Sequence, residues 1–273
     1  MKKNKSNLNA YCISHKFYKN LDNMGFNIIG SGAYNKKFPS HWLKDSTGKK
    51  NISKKNLNYG SLTSIYWIWK NKINRINNND YISFFHYRRF WLKKKHDKNI
   101  TPNNLKKNVL KSIPIEYTKY DALMCNQIDL KGYKFSKLIK KGKRSFLKDP
   151  TILFNKKKHT INLHFDIFHI NNGLIKAANL LEKKDKKDFI FYINNQTSFY
   201  PLSIFIIKKK YFTELCASTF KWLKKCEKIF NSKNLAGYGE IRIFDFLAER
   251  YFSYWISKHC KIKIWPHKHI NID

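Results

Sequence analysis

An apolar run that ends in two adjacent arginines, Tyr81–Phe90 (YISFFHYRRF), is the segment of the sequence best suited to chemistry. Its first half predicts a buried β-strand. The polar residues that follow are His86, Tyr87, Arg88 and Arg89. Because a guanidinium binds phosphate or carboxylate through two parallel hydrogen bonds, a strand that carries these groups to its end predicts a site for an anion.

Arginine is scarce in a chain that is otherwise rich in positive charge. Of 55 lysines and arginines, six are arginines. Lysine therefore supplies the general charge, and the arginine positions are candidates for contacts that need a planar, forked group. On this ground Arg242 and Arg250 join Arg88 and Arg89 as candidate anion ligands.

A pyrophosphate clamp is the function that His86, Arg88 and Arg89 indicate. When a diphosphate leaves a sugar, negative charge develops on the departing oxygen, and cations already in place there lower the barrier. A solvated basic turn after a strand is the alternative reading, and composition alone supports it equally. The aromatic residues on both sides of the motif favour an ordered site.

Carboxylates that could bind a hydroxyl or act as a base are few, since the chain has only 18 Asp and Glu residues. Asp45 lies in a polar turn, where an ordinary turn aspartate is the alternative to a sugar ligand or general base. Glu249 lies on a predicted helix, Arg242–Ile256, seven residues after Arg242 and therefore on the same face. It is a candidate acid or base, and an exposed, salt-bridged helix is the alternative.

The sequence motifs of several enzyme classes are missing. There is no G-x-G-x-x-G, no P-loop and no G-x-S-x-G, so NAD binding, P-loop chemistry and serine hydrolysis lose their support. No D-x-D pair is present and the histidine pairs lack zinc-site spacing, so no metal or cofactor is predicted, although Mg²⁺ or Mn²⁺ stays open. Five scattered cysteines without C-x-x-C spacing predict reduced thiols in the cytosol.

The net charge of +37 indicates an anionic partner or the codon bias of an AT-rich genome. Each basic residue near an anionic membrane contributes about 1 kcal/mol to attraction. We therefore expect peripheral membrane contact through the basic stretches 93–111 and 131–148. No apolar stretch approaches the roughly 18 residues that predict a membrane-spanning helix, and no apolar core follows the lysine-rich N-terminus as a secretory signal would require.

Alternating strand and helix patterns predict an α/β fold. The predicted strands cover residues 11–15, 26–29, 81–89, 120–124, 189–193, 202–207 and 262–270. The predicted helices cover residues 58–72, 164–181, 211–230 and 242–256. We expect residues 1–10 to be frayed and residues 11–273 to form a single domain.

Several segments together resemble a bacterial protein family. They are Asp45–Asn56 with its NIS-x-K-N run, Leu62–Asn71 (LTSIYWIWKN), Asp80–Phe90, Phe205–Lys209 (FIIKK) and Phe246–Arg250 (FLAER). From about Tyr11 to its end, the chain resembles the HYRR-signature family of capsular and exopolysaccharide glycosyltransferases, long catalogued as a domain of unknown function. The resemblance implies a GT-A-like α/β fold, with a mixed central sheet flanked by helices, that binds a nucleotide sugar.

The resemblance also implies an activity. It is that of a hexosyltransferase that moves a hexose, with galactose and galactofuranose among the candidates, from a UDP-sugar to a lipid-linked glycan in capsule, lipopolysaccharide or exopolysaccharide synthesis. In place of the D-x-D of other GT-A enzymes, Arg88 and Arg89 would bind the diphosphate without a metal, and His86 would orient it or protonate the leaving oxygen. Asp45 or Glu249 would contact the acceptor hydroxyl or act as base. The further candidate donor ligands are Tyr87, Arg242, Arg250 and Trp69.

Such an enzyme would be cytoplasmic and peripheral at the inner membrane. Two other classes stay open. One is a basic nucleic-acid-binding protein without catalysis, which the charge favours; the sequence shows no recognised binding module, and we do not expect nucleic acid as a partner. The other is a degenerate transferase that only binds glycan.

Overall fold

The structure is a computed structural model that describes residues 7–22, 24–93, 99–132, 142, 145, 147–231 and 234–272. By its internal contacts the chain divides into two compact units. The first comprises Met1–Asn126, Leu202–Ala217 and Ile256–Asp273, and the second comprises Gln127–Pro201 and Ser218–Trp255. The sequence predicted a single domain over residues 11–273, and the division into two compact units leaves this as a prediction.

The strands of the described residues are short and begin early in the chain. In chain order they are β1 (Leu8–Ser14), β2 (Asn27–Gly30), β3 (Leu43–Lys44), β4 (Tyr81–His86), β5 (Arg89–Trp91), β6 (Ala122–Met124), β7 (Ile128–Asp129), β8 (Ser198–Phe199), β9 (Phe205–Lys208), β10 (Ile262–Ile264) and β11 (His267–His269). Residues 8–10, expected to be frayed, thus belong to β1. Residues 1–6 of that expectation lie outside the described residues.

Helices of the described residues alternate with the strands. In chain order they are α1 (Lys19–Asp22), α2 (Asn56–Tyr59), α3 (Leu62–Asn71), α4 (Leu105–Asn108), α5 (Ile161–Phe168), α6 (Gly173–Ala178), α7 (Lys183–Asn195), α8 (Lys209–Cys226), α9 (Tyr238–Ile241) and α10 (Ile243–His259). Within the described ranges, no helix is both long and apolar enough to cross a membrane.

A mixed sheet is the centre of the first unit. Over the described residues it has nine strands, with the main order β10-β6-β9-β4-β1-β2-β3, and β5 joins β4 to β11 at one end. β1 is parallel to β2 and to β4, whereas β9 is antiparallel to β4 and β6. The chain runs outward from β1 to β2 and β3 and then returns to β4 on the other side of β1. In open α/β sheets such a reversal of strand order marks the edge where ligands bind, outside the carboxyl ends of the strands.

β4 is the central strand of this sheet and has partners on both sides. It pairs with β1 from Tyr81 to His86 and with β9 from Tyr81 to Phe84. On one face the Phe84 ring lies 5.3 Å from that of Phe212, and on the other the Phe85 ring lies 4.7 Å from that of Phe26. A strand covered on both faces has a continuous apolar sequence, which explains why the run preceding His86 predicted it correctly.

One strand predicted in what is the second unit is a helix in the structure. Residues 189–193 (FIFYI) are part of helix α7. Asp185, Phe189 and Ile193, spaced four residues apart, are buried on one side of this helix, while Phe191 between them is 66% exposed. The helical spacing across the whole segment therefore prevailed over the local β propensity of aromatic and β-branched residues.

Two other predicted elements are each divided in the structure. The helix expected over residues 164–181 is α5 followed by α6, and Asn172 between them has a left-handed backbone with φ of 54°. The strand-like end of the chain is β10 and β11, separated by Pro266. β10 pairs with β6, whereas β11 pairs with β5.

Candidate functional site

The HYRR segment forms the tip of a hairpin, where the sequence predicted the end of a single strand. His86, the last residue of β4, pairs with Arg89, the first residue of β5, and Tyr87 and Arg88 form the turn. Residues directly opposite one another in antiparallel strands have Cβ atoms about 5 Å apart on the same face. His86 and Arg89 therefore share a face, and Arg88 occupies the turn beside them.

The loop that follows β1 holds one side of this hairpin. The Tyr87 N–H donates to the Ile13 carbonyl over 3.2 Å, and the Tyr87 ring stacks on Tyr18 with centroids 4.6 Å apart. The His15 ring meets Tyr87 edge-on at 4.8 Å, and the Arg88 guanidinium carbon lies 5.3 Å from the Tyr87 ring centroid. Burial, together with the hydrogen bond to Tyr18, raises the pKa of Tyr87, so its phenol is neutral at physiological pH.

The C-terminal strand β11 holds the other side. The Ile270 N–H donates to the Arg88 carbonyl over 2.9 Å, and His269 pairs with Arg89. Burial and the charge of the Arg89 guanidinium lower the pKa of His267. The hairpin is thus fixed between two segments that lie far from it in the sequence.

Two further basic residues belong to this edge of the sheet, and sequence reasoning missed them. His15 and Lys16 directly follow β1, and the Lys16 ammonium lies 4.7 Å from the centroid of the Tyr18 ring. The available signal was their position after the first strand, because the carboxyl ends of parallel neighbouring strands lie at the same edge of a sheet. With His86, Arg88 and Arg89 they form a cationic rim at the point where the strand order reverses.

Asp45 lies inside the first unit and has no exposed surface. Its carboxylate accepts hydrogen bonds from the Gly32 N–H at 2.8 Å, the Ala33 N–H at 2.9 Å, the Ser53 hydroxyl at 2.6 Å and the Thr63 hydroxyl at 2.5 Å. These contacts connect the turn after β2 to helix α3. Contact with an acceptor hydroxyl would require the carboxylate to leave these partners.

Gly32 shows how closely this turn is packed. Its φ of 73° is in the left-handed region, and a Cβ added there would lie 2.5 Å from the Asn56 side-chain oxygen. The amide nitrogen of Asn56 donates in turn to the Ser31 hydroxyl at 2.9 Å and to the Gly60 carbonyl at 2.8 Å. Glycine is therefore required at this position for both conformation and space.

Trp69, a candidate for stacking on the donor, has one face of its ring covered. The Lys70 ammonium lies 3.3 Å from its centroid. The neighbouring Trp67 is buried and donates from its indole nitrogen to the Thr47 carbonyl at 2.8 Å. Trp67 therefore serves the packing of the first unit, while Trp69 as a donor ligand stays a prediction.

Arg250 is buried in the second unit, with 2% of its surface exposed. It forms an ion pair with Glu249, although adjacent helical residues were not expected to face each other. Its guanidinium also donates to His164 Nδ1 at 3.2 Å and to His169 Nε2 at 3.4 Å, and lies 4.5 Å from the centroid of the Phe199 ring. Arg250 therefore organises a buried polar cluster, where an exposed helix face was the alternative.

The two imidazoles of this cluster act as neutral acceptors. Burial, assisted by the charge of Arg250, lowers the pKa of His164 to about 2. His169 Nδ1 donates to the Gly239 carbonyl at 2.9 Å, which leaves its Nε2 to accept from Arg250. Arg250 can therefore donate to both rings.

Arg242 lies at the start of helix α10, where its carbonyl accepts the Phe246 N–H over 3.2 Å, and its sharing of a helix face with Glu249 stays a prediction. Its guanidinium bonds to the Asp245 carboxylate at 2.7 Å and to the Tyr238 hydroxyl at 3.3 Å. Within the part of the chain that the structure describes, no group of three or more His, Cys, Asp or Glu residues could hold a metal ion.

Replacing Asp166 by asparagine is expected to stabilise the protein at alkaline pH. Asp166, on α5, accepts the Asn172 N–H at 2.9 Å, and burial raises its pKa to about 6. Because this pKa is higher in the folded state than in the unfolded chain, ionisation of Asp166 lowers stability progressively as the pH rises from about 4 to above 6. The amide oxygen of the introduced asparagine can accept the same hydrogen bond without that charge.

Thermal unfolding across pH tests this expectation. The Asp166→Asn variant should have a higher Tm than the wild type at pH 8, and the difference should shrink toward zero near pH 4. A difference in Tm that stayed constant over this range would contradict it.

The fold defined by these elements is GT-A-like. The structure matches that of WbbM, described as a bifunctional glycosyltransferase in its apo form, with a TM-score of 0.70 and 20% sequence identity. The match covers 97% of this chain and 46% of that one, so the chain spans less than half of the length of WbbM. The expected fold class, with its mixed central sheet flanked by helices, is confirmed.

By sequence, the family model DUF4422, a domain of unknown function, matches residues 9–260. The chain therefore belongs to the DUF4422 family. No curated protein matches it at a significant level.

Two fungal structures show weaker similarity. Core-mannan synthase A from Aspergillus fumigatus, in an Mn/GDP form, has a TM-score of 0.36 at 11% identity over 96% of this chain and 74% of that one. The mannosyltransferase Ktr4p from S. cerevisiae has a TM-score of 0.34 at 7% identity over 98% and 74%. Neither of these TM-scores indicates a shared fold.

Proposed function

We propose that this protein is a glycosyltransferase that binds the diphosphate of a nucleotide-sugar donor at the β4–β5 hairpin. The observation that carries the proposal is the position of this hairpin. It lies outside the carboxyl ends of β1 and β4, at the reversal of strand order where open α/β sheets bind ligands. The GT-A-like fold shared with WbbM supports the class of enzyme.

In sugar transfer the hairpin stabilises the leaving group, which is the diphosphate of the donor. As the bond between the sugar carbon and the donor diphosphate breaks, the acceptor hydroxyl oxygen bonds to that carbon and releases its proton, and negative charge appears on the departing diphosphate. Arg88 and Arg89 bind this charge, and His86 orients the diphosphate or protonates its leaving oxygen. Asp45 acts as a positioning residue, because its hydrogen bonds hold the turn after β2.

Glu249, Arg242 and Arg250 bond to partners within the second unit. Their expected roles as base and donor ligands stay predictions. The finer parts of the proposal are a UDP-hexose donor, a lipid-linked glycan acceptor, a place in capsule, lipopolysaccharide or exopolysaccharide synthesis, and transfer without a metal.

Peripheral contact with an anionic membrane is a further part of the proposal. Of the basic stretches expected to approach lipid, residues 94–98, 133–141, 143, 144 and 146 lie outside the described residues. Leu147 and Phe154 are each 84% exposed; the exposed Lys148 follows Leu147 directly, and the exposed Lys156 lies two residues after Phe154. Apolar side chains flanked by lysines are suited to the interface of an anionic bilayer.

Donor screening tests the proposal. Purified protein is incubated with UDP-galactose or UDP-galactofuranose and a lipid-linked glycan, in EDTA and in Mn²⁺, and nucleotide release is measured. We expect release of UDP that depends on the acceptor and persists in EDTA. Absence of release with every donor, together with tight and salt-sensitive RNA binding, would favour the nucleic-acid-binding alternative that the net charge supports.

A further inference from the structure

We infer that an acidic polysaccharide binds to a surface beside β10, the strand at one end of the main order of the sheet. This tyrosine–lysine surface consists of Tyr117, Lys119, Tyr120, Lys261 and Lys263, all within the first unit. It lies away from the donor hairpin and therefore goes beyond the proposed function. The choice of a sugar polymer as the ligand rests on the proposed class of enzyme.

Three lysines from two segments of the chain surround the ring of Tyr120. The ammonium groups of Lys119, Lys261 and Lys263 lie 5.7, 5.6 and 6.0 Å from its centroid. Lys263 also lies 6.0 Å from the ring centroid of Tyr117. Cations at such distances are attracted to the negative face of an aromatic ring. The two tyrosines therefore keep the three ammonium groups close together in spite of their mutual repulsion.

The ammonium groups leave room for a ligand on the rings. Non-bonded atoms are in direct contact at about 3.5–4 Å, which is well below the distances to these lysines. Tyr117 and Tyr120 are half-buried, and their rings are tilted by 27° with centroids 6.4 Å apart. The C–H groups of a sugar ring carry a slight positive charge and pack on the negative face of an aromatic ring. The surface thus offers contacts for both the rings and the charges of an acidic polysaccharide.

Backbone hydrogen bonds hold the surface in place. The Tyr81 hydroxyl donates to the Tyr120 carbonyl at 2.5 Å, and the Tyr120 N–H donates to the Tyr117 carbonyl at 3.0 Å. The Asp121 N–H donates to the Lys261 carbonyl at 2.8 Å, and the Lys261 N–H donates to the Asp121 carboxylate at 3.1 Å. A ligand therefore meets an ordered backbone, and little conformational entropy is lost on binding.

The surface carries a net positive charge. The carboxylate of Asp121 forms an ion pair with a different lysine, Lys208, at 3.0 Å. Glu116, next to Tyr117 in the sequence, offsets at most one of the three ammonium charges. Carboxylates along a sugar polymer are complementary to this charge. Because lysine is a point charge on a flexible stem, it can follow carboxylates whose positions vary along a polymer.

The alternation of side chains along β10 favours a polar ligand over a lipid bilayer. Successive residues of a strand point to opposite faces of the sheet. Lys263 therefore lies on the face of the two tyrosines, whereas Ile264, which is 41% exposed, points away from it. A bilayer interface would need apolar side chains among the lysines.

A single sugar cannot contact both this surface and the hairpin. The Tyr120 carbonyl contacts Tyr81, the first residue of β4, and His86 ends that strand five residues later, about 17 Å away. A sugar at the hairpin and a sugar on the tyrosine–lysine surface must therefore be joined by several others. The surface is suited to retain a long acidic chain.

Calorimetry with polygalacturonate, an acidic polysaccharide, and with dextran, a neutral one, tests the inference. We expect the wild type to bind polygalacturonate more tightly than dextran, and the Lys261→Gln/Lys263→Gln variant to bind polygalacturonate about tenfold more weakly. Tyr120→Leu should weaken this binding too, whereas Tyr120→Phe should retain it. The matched control is Lys49→Gln/Lys50→Gln, which removes two exposed lysines from the turn after β3 and should bind as the wild type does.

Equal affinities of the two double-lysine variants for polygalacturonate would overturn the inference. A larger loss for poly(U) RNA or for phosphatidylglycerol vesicles than for polygalacturonate would also overturn it, because the surface would then serve nucleic acid or a membrane. A bilayer would engage Ile115, which is 58% exposed and lies two residues before Tyr117, so Ile115→Ser should leave polygalacturonate binding unchanged.

The binding measurement requires no sugar transfer. A protein that binds polygalacturonate through Lys261 and Lys263 but releases no nucleotide from any donor would retain the inference and contradict the proposed function. Transfer by a protein that does not bind polygalacturonate would do the reverse.

Discussion

Replacing Arg88 by lysine is expected to lower kcat for sugar transfer by about a hundredfold. Lysine retains the positive charge but cannot form the two parallel hydrogen bonds of a guanidinium with a phosphate. Removing one donor from a site of developing negative charge typically lowers kcat by about 10²- to 10³-fold. The carbonyl of residue 88 would still accept the Ile270 N–H, so the hairpin itself should keep its structure.

Steady-state kinetics and thermal unfolding together decide this prediction. Tm should stay within a few degrees of the wild-type value while kcat falls. Arg75→Lys is the matched control, because Arg75 is exposed in a short turn before β4 and its replacement should leave kcat unchanged. Full turnover by the Arg88→Lys variant would show that bidentate phosphate binding at the hairpin tip is wrong.

Replacing Asp45 by asparagine is expected to be the most destabilising conservative change in the first unit. All four groups that contact the Asp45 carboxylate donate hydrogen bonds to it. The introduced amide would present an NH₂ group to some of these donors, and each lost hydrogen bond to a charged group lowers stability by about 1.5 to 3 kcal/mol. For a protein of this size we expect Tm to fall by about 10 °C.

Differential scanning calorimetry measures this loss. Asp129→Asn is the control, because Asp129 is exposed and accepts a single backbone N–H, from Lys131, so its replacement should shift Tm only slightly. The same measurement separates the two roles considered for Asp45. An Asp45→Asn variant with unchanged Tm and no turnover would indicate a catalytic carboxylate and contradict the positioning role.

Strands that are buried on both faces could be predicted from the sequence more accurately than elements whose secondary structure depends on contacts with distant residues. Tyr81–Phe85 is apolar throughout apart from one serine, because β4 has sheet neighbours on both sides and packed residues on both faces. The segment 189–193 has equal local β propensity but is helical. Its helical pattern shows only when Asp185 is counted with Phe189 and Ile193, and a buried aspartate does not indicate a core position.

The hairpin at the candidate site escaped prediction for a related reason. Tyr87 and Arg88 are not turn-forming residues, and neither has a positive φ. Their turn depends on contacts with Tyr18, nearly seventy residues earlier, and with β11, almost two hundred residues later. The types of the site residues were therefore available from the sequence, whereas their arrangement and the participation of His15 and Lys16 were not.

The pairing of β4 distinguishes the residues that hold the sheet together from those at the hairpin turn that are available to a ligand. Hydrogen-bonded neighbours fix the strand from Tyr81 to His86 and the backbone of Tyr87, while the Arg88 side chain extends from the turn. A substitution at position 88 can therefore change the group that is presented to a ligand without disturbing the sheet beneath it. Among related proteins we expect differences in ligand preference to concentrate at this position.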